Sequence, residues 1–203
     1  KQKIMKILAL DSSGLVASVA VVENDTLLAE YTVNYKKTHS QTLLPMLDEI
    51  SNMTELDLST IDAIAVAGGP GSFTGLRIGS ATAKGLGLAL EKPLISIPTT
   101  AAIAYNIWDT NKFVCPIMDA RRNQVYTGVY CYTDHRLDTV WEQDTMSIEA
   151  LAEGLNCLDH EVIFLGDGVA VYREKLEALL TIPFSFAPAH VNRQRAAAVG
   201  ALA

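Results

Sequence analysis

The sequence predicts a duplicated α/β fold of the ribonuclease-H-like type, built from two βββαβαβα halves. The first observation is that the order of strand-like and helix-like patterns in the first half of the chain recurs in the second. The second is that each half opens with three β-prone runs separated by turn residues. The third is that helical and strand periodicities then alternate, as expected for a mixed sheet covered by helices. We place the boundary at Asn111, which gives domains of residues 1–110 and 111–203.

The first half begins with a predicted three-stranded meander. Its runs are Met5–Ser12, Leu15–Val22 and Thr26–Val33, which are separated by Ser13-Gly14 and by Glu23-Asn24-Asp25. After the meander, apolar residues recur at helical spacing, which predicts an amphipathic helix over His39–Met53. The elements that follow are a strand at Ile61–Ala67, a helix at Thr74–Leu90, a strand at Leu94–Ile97 and a helix beginning at Thr99 or Thr100.

The second half repeats this order after Asn111. Its predicted strands are Phe113–Met118, Gln124–Thr133, Asp138–Asp144, Val162–Gly166 and a short one around Phe184. Its predicted helices are Ser147–Leu155, Val169–Leu180 and one that begins at Asn192. The sequence stops within this last, Ala-rich pattern without a capping residue, so we expect the second domain to continue beyond Ala203.

Small residues recur every four positions in the helix predicted at Thr74–Leu90. They are Gly75, Gly79, Ala83 and Gly87, and they must share one face of the helix. Because each helical glycine costs roughly 0.8–1 kcal/mol relative to alanine, some other interaction must offset the loss. Three explanations are open: close packing on the chain's own sheet, an anion bound at the helix start, or a partner helix lying in the groove.

The turn Gly68-Gly69-Pro70-Gly71 leads from a strand into this helix, and free N–H groups there would suit an anion. Its spacing matches neither of two phosphate-binding templates. It has no Gly-Lys-Ser/Thr ending, and Thr74 stands where the dinucleotide fingerprint requires glycine. We therefore do not expect this loop to bind phosphate by itself.

Asp11 and Asp119 end the first predicted strand of each half. In duplicated folds of this type, ligands bind between the halves beyond the strand ends, so we expect the two carboxylates to face one cleft. Each aspartate could instead cap a turn, and the Gly-Asp-Gly sequence near residue 167 could be a tight turn without a ligand. The candidate contacts to a nucleotide or phosphate are Asp11, Ser12, Ser13, Asp119, Gly166 and Gly168.

Composition disfavours several classes of function. The chain of 203 residues is 49% hydrophobic and can bury a core, and its net charge of −7 disfavours unaided binding to a nucleic-acid backbone. Three cysteines without a C-x-x-C pair support neither a disulfide framework nor a zinc ribbon, and four scattered histidines give no metal-site spacing. Because the sequence has no 18-residue apolar run and no signal-peptide pattern, we expect no membrane association and a cytoplasmic location.

The chain contains five long motifs in order, which span essentially its whole length: ILALDSS, HSQTLLPMLDEI, GGPGSFTGLRIGSATAKGLGLAL, MDARRNQVY and FLGDG. Together they resemble the TsaB (YeaZ) family of bacterial tRNA-modification proteins. The resemblance implies a fold of the actin, hexokinase and Hsp70 (ASKHA) type. It also implies a non-catalytic paralogue of TsaD, the subunit that transfers a threonylcarbamoyl group to adenosine 37 of tRNAs reading ANN codons, which yields threonylcarbamoyladenosine (t6A). The chain itself is then a scaffold or activator and not an enzyme.

The resemblance also implies which surface binds partners. The helices at His39–Met53 and Thr74–Leu90 would bind TsaD directly, as a heterodimer, or a second copy of the chain when TsaD is absent. TsaE and tRNA would join through that complex, and ATP or ADP would bind at or near it, with no cofactor on this chain alone. The residues assigned to this surface are His39, Leu43, Leu44, Leu47, Thr74, Gly75, Leu76, Gly79, Ala83 and Gly87.

Two other functions remain as alternatives. TsaD-like chains carry two metal-binding histidines on the helix after the glycine-rich helix and its strand, whereas Ile97–Tyr105 contains no metal ligand here. Metal-dependent transfer is therefore not expected on this chain, and a glycoprotease-like metallopeptidase would need the same motif. An ATP-dependent kinase or ATPase of the ASKHA fold is the other alternative, although Asp11-Ser12-Ser13-Gly14 departs from the Asp-x-Gly-Thr/Ser turn that such kinases use.

Overall fold

The computed structural model describes residues 4–35 and 41–203, which divide into two compact units. The first unit contains the described residues up to Ala102 together with Gln194–Ala203, and the second contains Ile103–Arg193. The division predicted from the sequence assigned the C-terminal stretch to the second half. The structure places this stretch in the first unit, because the last helix packs on the first sheet.

The first unit contains five strands and the helices that cover them. The strands are β1 (Lys6–Asp11), β2 (Val16–Glu23), β3 (Thr26–Asn34), β4 (Ala63–Ala67) and β5 (Leu94–Ile97). The helices are α1 (Leu43–Thr54), α2 (Phe73–Leu90), α3 (Thr99–Ala104), in which the first unit ends, and α6 (Ala196–Leu202). A short 3-10 helix at Leu58–Thr60 precedes β4.

The first sheet has the order β3-β2-β1-β4-β5. β1, β2 and β3 form the predicted antiparallel meander, and β4 and β5 continue the sheet in parallel with β1. β1 and β4 are almost wholly apolar and buried, as expected for central strands that are covered on both faces.

Two apolar layers cover the first sheet. On one face, Leu8, Leu10 and Ile64 pack with Leu43, Leu47 and Ile50 of α1 and with Ala83 of α2. On the other face, Ile7, Ala9 and Ala65 pack with Ala196 and Val199 of α6. Alternate residues of β1 thus serve opposite faces, because successive side chains of a strand point in opposite directions.

The second unit repeats this arrangement. Its elements are β6 (Phe113–Arg121), β7 (Gln124–Thr133), β8 (Arg136–Ser147), α4 (Ile148–Leu158), β9 (Val162–Leu165), α5 (Gly168–Leu179) and β10 (Phe184–Phe186). The sheet order β8-β7-β6-β9-β10 matches that of the first unit strand for strand. The predicted duplication is therefore confirmed, and Ile117, Leu151 and Phe164 mark the core beneath α4 and α5.

Most predicted elements lie within a few residues of the observed ones. The helix predicted from His39 is described from Leu43, and His39 lies outside the described residues. The last helix begins at Ala196 and not at Asn192. The reason is that the preceding carbonyl groups are bound elsewhere: Asn106 Nδ2 donates to Val191 O at 3.1 Å and to Arg193 O at 2.7 Å. Among the described helices, none combines the length and apolar character needed to cross a bilayer.

Candidate functional site

The stripe of small residues on α2 faces the first sheet. Gly75, Gly79, Ala83 and Gly87 are all buried. A Cβ atom added to Gly75 would lie 2.1 Å from the Ser12 carbonyl oxygen, and one added to Gly79 would lie 2.5 Å from Ser12 Oγ. This corrects the interpretation of the stripe as a groove open to a partner helix. Its glycines let the turn after β1 lie directly against α2, so close internal packing offsets their low helix propensity.

The loop before α2 uses its polar backbone groups within the chain. Its N–H donors bond to acceptors of neighbouring segments, which lowers its capacity to bind an anion. These bonds are Gly68 N to Ile97 O at 2.8 Å, Gly69 N to Thr99 Oγ1 at 3.1 Å, Ser72 N to Ser13 O at 2.7 Å and Gly75 N to Ser72 Oγ at 3.2 Å. That this loop does not bind phosphate by itself stays a prediction.

Asp11, Ser12 and Ser13 form a hydrogen-bonded turn at the end of β1. The backbone N and the Oγ of Ser13 donate to Asp11 Oδ1 at 2.9 and 2.6 Å. Ser12 Oγ donates to Gly75 O of α2 at 2.8 Å. All three side chains are buried, and the Ser12 hydroxyl joins the β1–β2 turn to α2. Contact of these residues with a nucleotide stays a prediction.

Asp119 is the centre of a polar cluster in the second unit. Its Oδ1 accepts from Tyr172 Oη at 3.0 Å and from Arg121 N at 2.9 Å, and its own N–H donates to Asp167 Oδ1 at 3.1 Å. Burial, the hydrogen bond to Asp119 and the charge of that carboxylate raise the pKa of Tyr172 to about 12. Burial also raises the pKa of Asp167, and the nearby charge of Asp119 adds to this effect.

Gly166 and Gly168 pass close to the backbone of β6. Gly166 has a φ of 103°, and a Cβ atom there would lie 2.2 Å from Ile117 O, while one at Gly168 would lie 2.9 Å from the same oxygen. Asn192 Oδ1 accepts from Gly166 N at 2.9 Å, and Arg193 Nη1 donates to Gly166 O at 2.8 Å. Close backbone packing therefore explains the two glycines of the Gly-Asp-Gly sequence without a ligand.

The structure thus gives each predicted nucleotide contact a partner within its own unit. Asp11 belongs to the first unit and Asp119 to the second. A cleft shared by the two carboxylates stays a prediction.

The sequence analysis missed Tyr172, Asn192 and Arg193, which hold the second cluster together. No local signal could have found them, because they lie 26 to 53 residues from their partners.

The exposed sides of α1 and α2 carry large apolar residues. Phe73 and Leu88 of α2 are 68% and 84% exposed, and Leu44 and Met53 of α1 are 53% and 77% exposed. The guanidinium carbon of Arg77 lies 3.8 Å from the centre of the Phe73 ring. We call this set the α1–α2 surface; it comprises Leu44, Met53, Phe73, Thr74, Arg77 and Leu88.

The predicted partner residues divide between this surface and the core. Leu44 and Thr74 are exposed and Leu76 is half-buried, whereas Leu43, Leu47 and the four stripe residues are buried. Phe73, Arg77, Met53 and Leu88 were missed. A sequence signal existed for α2, since Phe73, Arg77 and Leu88 follow helical spacing on the side opposite the small residues.

The positions of possible metal-ligating side chains were compared across the described part of the chain. Within residues 4–35 and 41–203, no group of three or more His, Cys, Asp or Glu side chains is placed to hold a metal ion.

Comparison with known proteins identifies relatives over most of the chain. The family model described as "TsaD: tRNA N6-adenosine threonylcarbamoyltransferase" matches residues 26–203. The tRNA threonylcarbamoyladenosine biosynthesis protein TsaB of Bacillus subtilis is 35% identical over 176 residues, which cover 87% of this chain and 77% of that protein.

Solved structures support the same relationship and the predicted fold. YeaZ from Pseudomonas aeruginosa superimposes with a TM-score of 0.82 at 26% identity, covering 98% of this chain and 90% of that one. The ROK hexokinase from Thermus thermophilus superimposes with a TM-score of 0.53 at 13% identity, covering 97% of each chain. The second likeness shows the fold alone and confirms the ASKHA architecture predicted above.

Proposed function

This chain belongs to the TsaB (YeaZ) family, and we propose that it acts in tRNA threonylcarbamoyladenosine biosynthesis as a non-catalytic scaffold that binds TsaD. The observation that carries the proposal is the α1–α2 surface. Large apolar side chains exposed on two helices of one unit are typical of a surface that a partner covers. Phe73 with Arg77 stacked on its ring supplies the aromatic and arginine pair that is enriched among energetically dominant interface residues.

The charges on these helices suit pairing with a similar surface. α1 exposes Asp48 and Glu49, and α2 exposes Arg77 and Lys84. In a two-fold or pseudo-two-fold arrangement, α1 of one protein can face α2 of the other, so acidic and basic groups then meet. TsaD is a paralogue in the resemblance described above and would offer equivalent helices. A second copy of this chain would offer the same ones.

The proposed role leaves the transfer chemistry to TsaD. The segment Ile97–Tyr105, where TsaD-like chains carry metal-binding histidines, has no metal ligand here. TsaE and tRNA are proposed to join through the complex with TsaD, and ATP or ADP to bind at or near that complex. The chain contributes a surface and an arrangement of subunits under this proposal, and no reacting group.

A charge placed on the α1–α2 surface tests the proposal. We expect Leu88→Arg to weaken binding to TsaD by at least about tenfold, because the exposed leucine would lose its apolar contact and bury a charge. The measurement is light scattering after size exclusion on the variant mixed with TsaD, together with t6A formation in a reconstituted reaction. Val171→Arg is the matched control, because Val171 is 57% exposed on α5 of the second unit.

Comparison of the two variants distinguishes a specific loss of TsaD binding from a general loss of folding. Val171→Arg should form the complex and support t6A formation as the unchanged chain does. If Leu88→Arg, with an unchanged thermal transition, still bound TsaD at full strength, the α1–α2 surface would not be the interface. Turnover of ATP by the isolated chain would instead favour a kinase or ATPase of this fold.

A further inference from the structure

A groove lies between α2 and β5, at the open edge of the first sheet. Its volume is about 550 Å³, which is within the usual range for binding clefts. Its lining includes Phe73, Leu76, Arg77, Lys84, Leu94 and Ser96. We call it the α2–β5 groove. It shares Phe73 and Arg77 with the α1–α2 surface and differs from it because one of its walls is the edge strand of the sheet.

The outer edge of β5 offers backbone groups for pairing. Ile64 N donates to Pro93 O at 2.9 Å, and Gly68 N donates to Ile97 O at 2.8 Å. Since backbone groups of alternate residues in a strand point to opposite sides, those of Leu94 and Ser96 point away from β4. Both residues are exposed, and the sheet order ends at β5 among the described strands. An edge without a charged residue or a bulge is open to an added strand.

The positive charge of the groove lining favours an acidic segment as the strand that pairs with β5. Arg77 and Lys84 are the charged residues of its lining, which contains no carboxylate. They are seven residues apart on α2, so their Cα atoms are separated by about 10.5 Å along the helix axis. Between them lie the small residues Ser80 and Ala81, which leave room over the groove floor.

We propose that the α2–β5 groove binds an extended acidic peptide segment of a partner protein, which adds to the first sheet as a sixth strand beside β5. Backbone hydrogen bonds to Leu94 and Ser96 would hold the segment, and its carboxylates would face Arg77 and Lys84. Residues two and four positions apart on one side of a strand are separated by about 7 and 13 Å, which brackets the spacing of the two cations. The favoured segment therefore has acidic residues four positions apart, with an apolar residue midway between them.

A strand-blocking substitution tests this proposal directly. The probe is a fluorescein-labelled heptapeptide, Thr-Glu-Val-Leu-Val-Glu-Thr, and the measurement is fluorescence polarisation at low salt. Ser96→Pro removes an outward N–H of an edge strand, where proline is tolerated, and leaves the pairing through Ile95 and Ile97 in place. We expect it to weaken peptide binding by roughly tenfold or more. Ser96→Ala is the matched control and should bind as the unchanged chain does, because it keeps the N–H.

Charge exchange gives a second, independent readout. Replacing both glutamates of the peptide by glutamine should weaken binding by roughly tenfold. Lys84→Glu should weaken binding of the acidic peptide and strengthen binding of a peptide with lysine in place of glutamate. Equal binding of the acidic and glutamine peptides, equal binding by Ser96→Pro and Ser96→Ala, or no binding by the unchanged chain at millimolar peptide would each overturn the proposal.

The proposal for the groove and the proposal for the TsaD interface can be disproved separately. Ser96→Pro should still form the complex with TsaD, since Ser96 lies outside the α1–α2 surface. Leu88→Arg should still bind the peptide, since Leu88 does not line the groove. Loss of peptide binding by Leu88→Arg in a folded protein would show that the peptide binds the α1–α2 surface, and would overturn the assignment to the groove.

Discussion

Gly75 and Gly85 lie in the same helix and have opposite surroundings. A Cβ atom at Gly75 would meet the Ser12 carbonyl oxygen at 2.1 Å, whereas nothing lies within 4 Å of one at Gly85. We therefore expect Gly75→Ala to destabilise the protein by about 1–3 kcal/mol through overpacking. Gly85→Ala should stabilise it by about 0.4–1 kcal/mol through improved helix propensity and a less flexible unfolded chain.

The pair is measured by urea denaturation of the two variants and of the unchanged chain. Gly85→Ala serves as the control, because it makes the same chemical change in the same helix. Equal stability of the two variants would show that α2 does not lie against the β1–β2 turn in solution. A stable Gly75→Ala protein that had lost TsaD binding would restore the small-residue stripe as the partner groove.

The sequence predicted the shared face of the small residues and could not predict which way it points. Leu76, Ile78, Leu86 and Leu90 are partly buried and lie on the same side of α2 as the small residues, whereas the exposed Phe73 and Leu88 lie on the other side. Because large apolar residues occur on both sides of this helix, their presence alone did not decide which side faces the sheet. Contact with Ser12, 63 residues before Gly75, decides the orientation.

At the scale of elements, α6 depends on side chains from distant strands. Its first N–H groups are satisfied by Ser18 Oγ of β2, which accepts from Ala196 N at 2.8 Å, and by Glu30 Oε1 of β3, which accepts from Ala197 N at 3.2 Å. Arg195 Nε also donates to Glu30 Oε2 at 3.1 Å. Arg195, the N-cap residue, makes no side-chain capping bond to the helix, so Ser18 and Glu30 cap it instead.

Removal of the Glu30 carboxylate should loosen α6. We expect Glu30→Ala to increase amide hydrogen exchange in Ala196–Leu202 by roughly tenfold, because the Ala197 N–H and the Arg195 guanidinium would both lose their acceptor. Glu30→Gln should give a smaller increase, since its amide oxygen can still accept from Ala197 N. Hydrogen exchange with mass spectrometry measures both variants. The same exchange rate in Glu30→Ala as in the unchanged chain would contradict the capping role.

Local patterns predicted the existence of α6 and missed its start and its placement. The Ala-rich stretch is helical from Ala196, but Asn106 binds the carbonyl groups of Val191 and Arg193 and holds that segment out of the helix. The packing of α6 on β1 and β2 assigns it to the first unit. Both facts depend on residues that are far apart in sequence, so periodicity alone could not reveal them.

At the scale of the whole molecule, the repeated order of elements was predictable because each half carries its own local signals. Three strands, an alternation of helices and strands, and buried apolar runs recur in both halves, and the two sheets share one strand order. The candidate sites were less predictable. Asp11 ends β1 and is bonded by its neighbour Ser13, whereas Asp119 lies before the end of β6 and is bonded by Tyr172, 53 residues away.

The α1–α2 surface leads to a prediction for the whole molecule. If this surface binds both TsaD and a second copy of the chain, the two assemblies must compete, because one patch cannot bind two partners at once. Addition of TsaD should therefore convert homodimer into a one-to-one complex, and the apparent affinity for TsaD should fall as the concentration of the chain rises. Light scattering after size exclusion, repeated at several concentrations, measures both effects. Leu88→Arg should weaken both assemblies and Val171→Arg neither. A particle that contained two copies of the chain paired through Leu88 and still bound TsaD would show that the two interfaces are different.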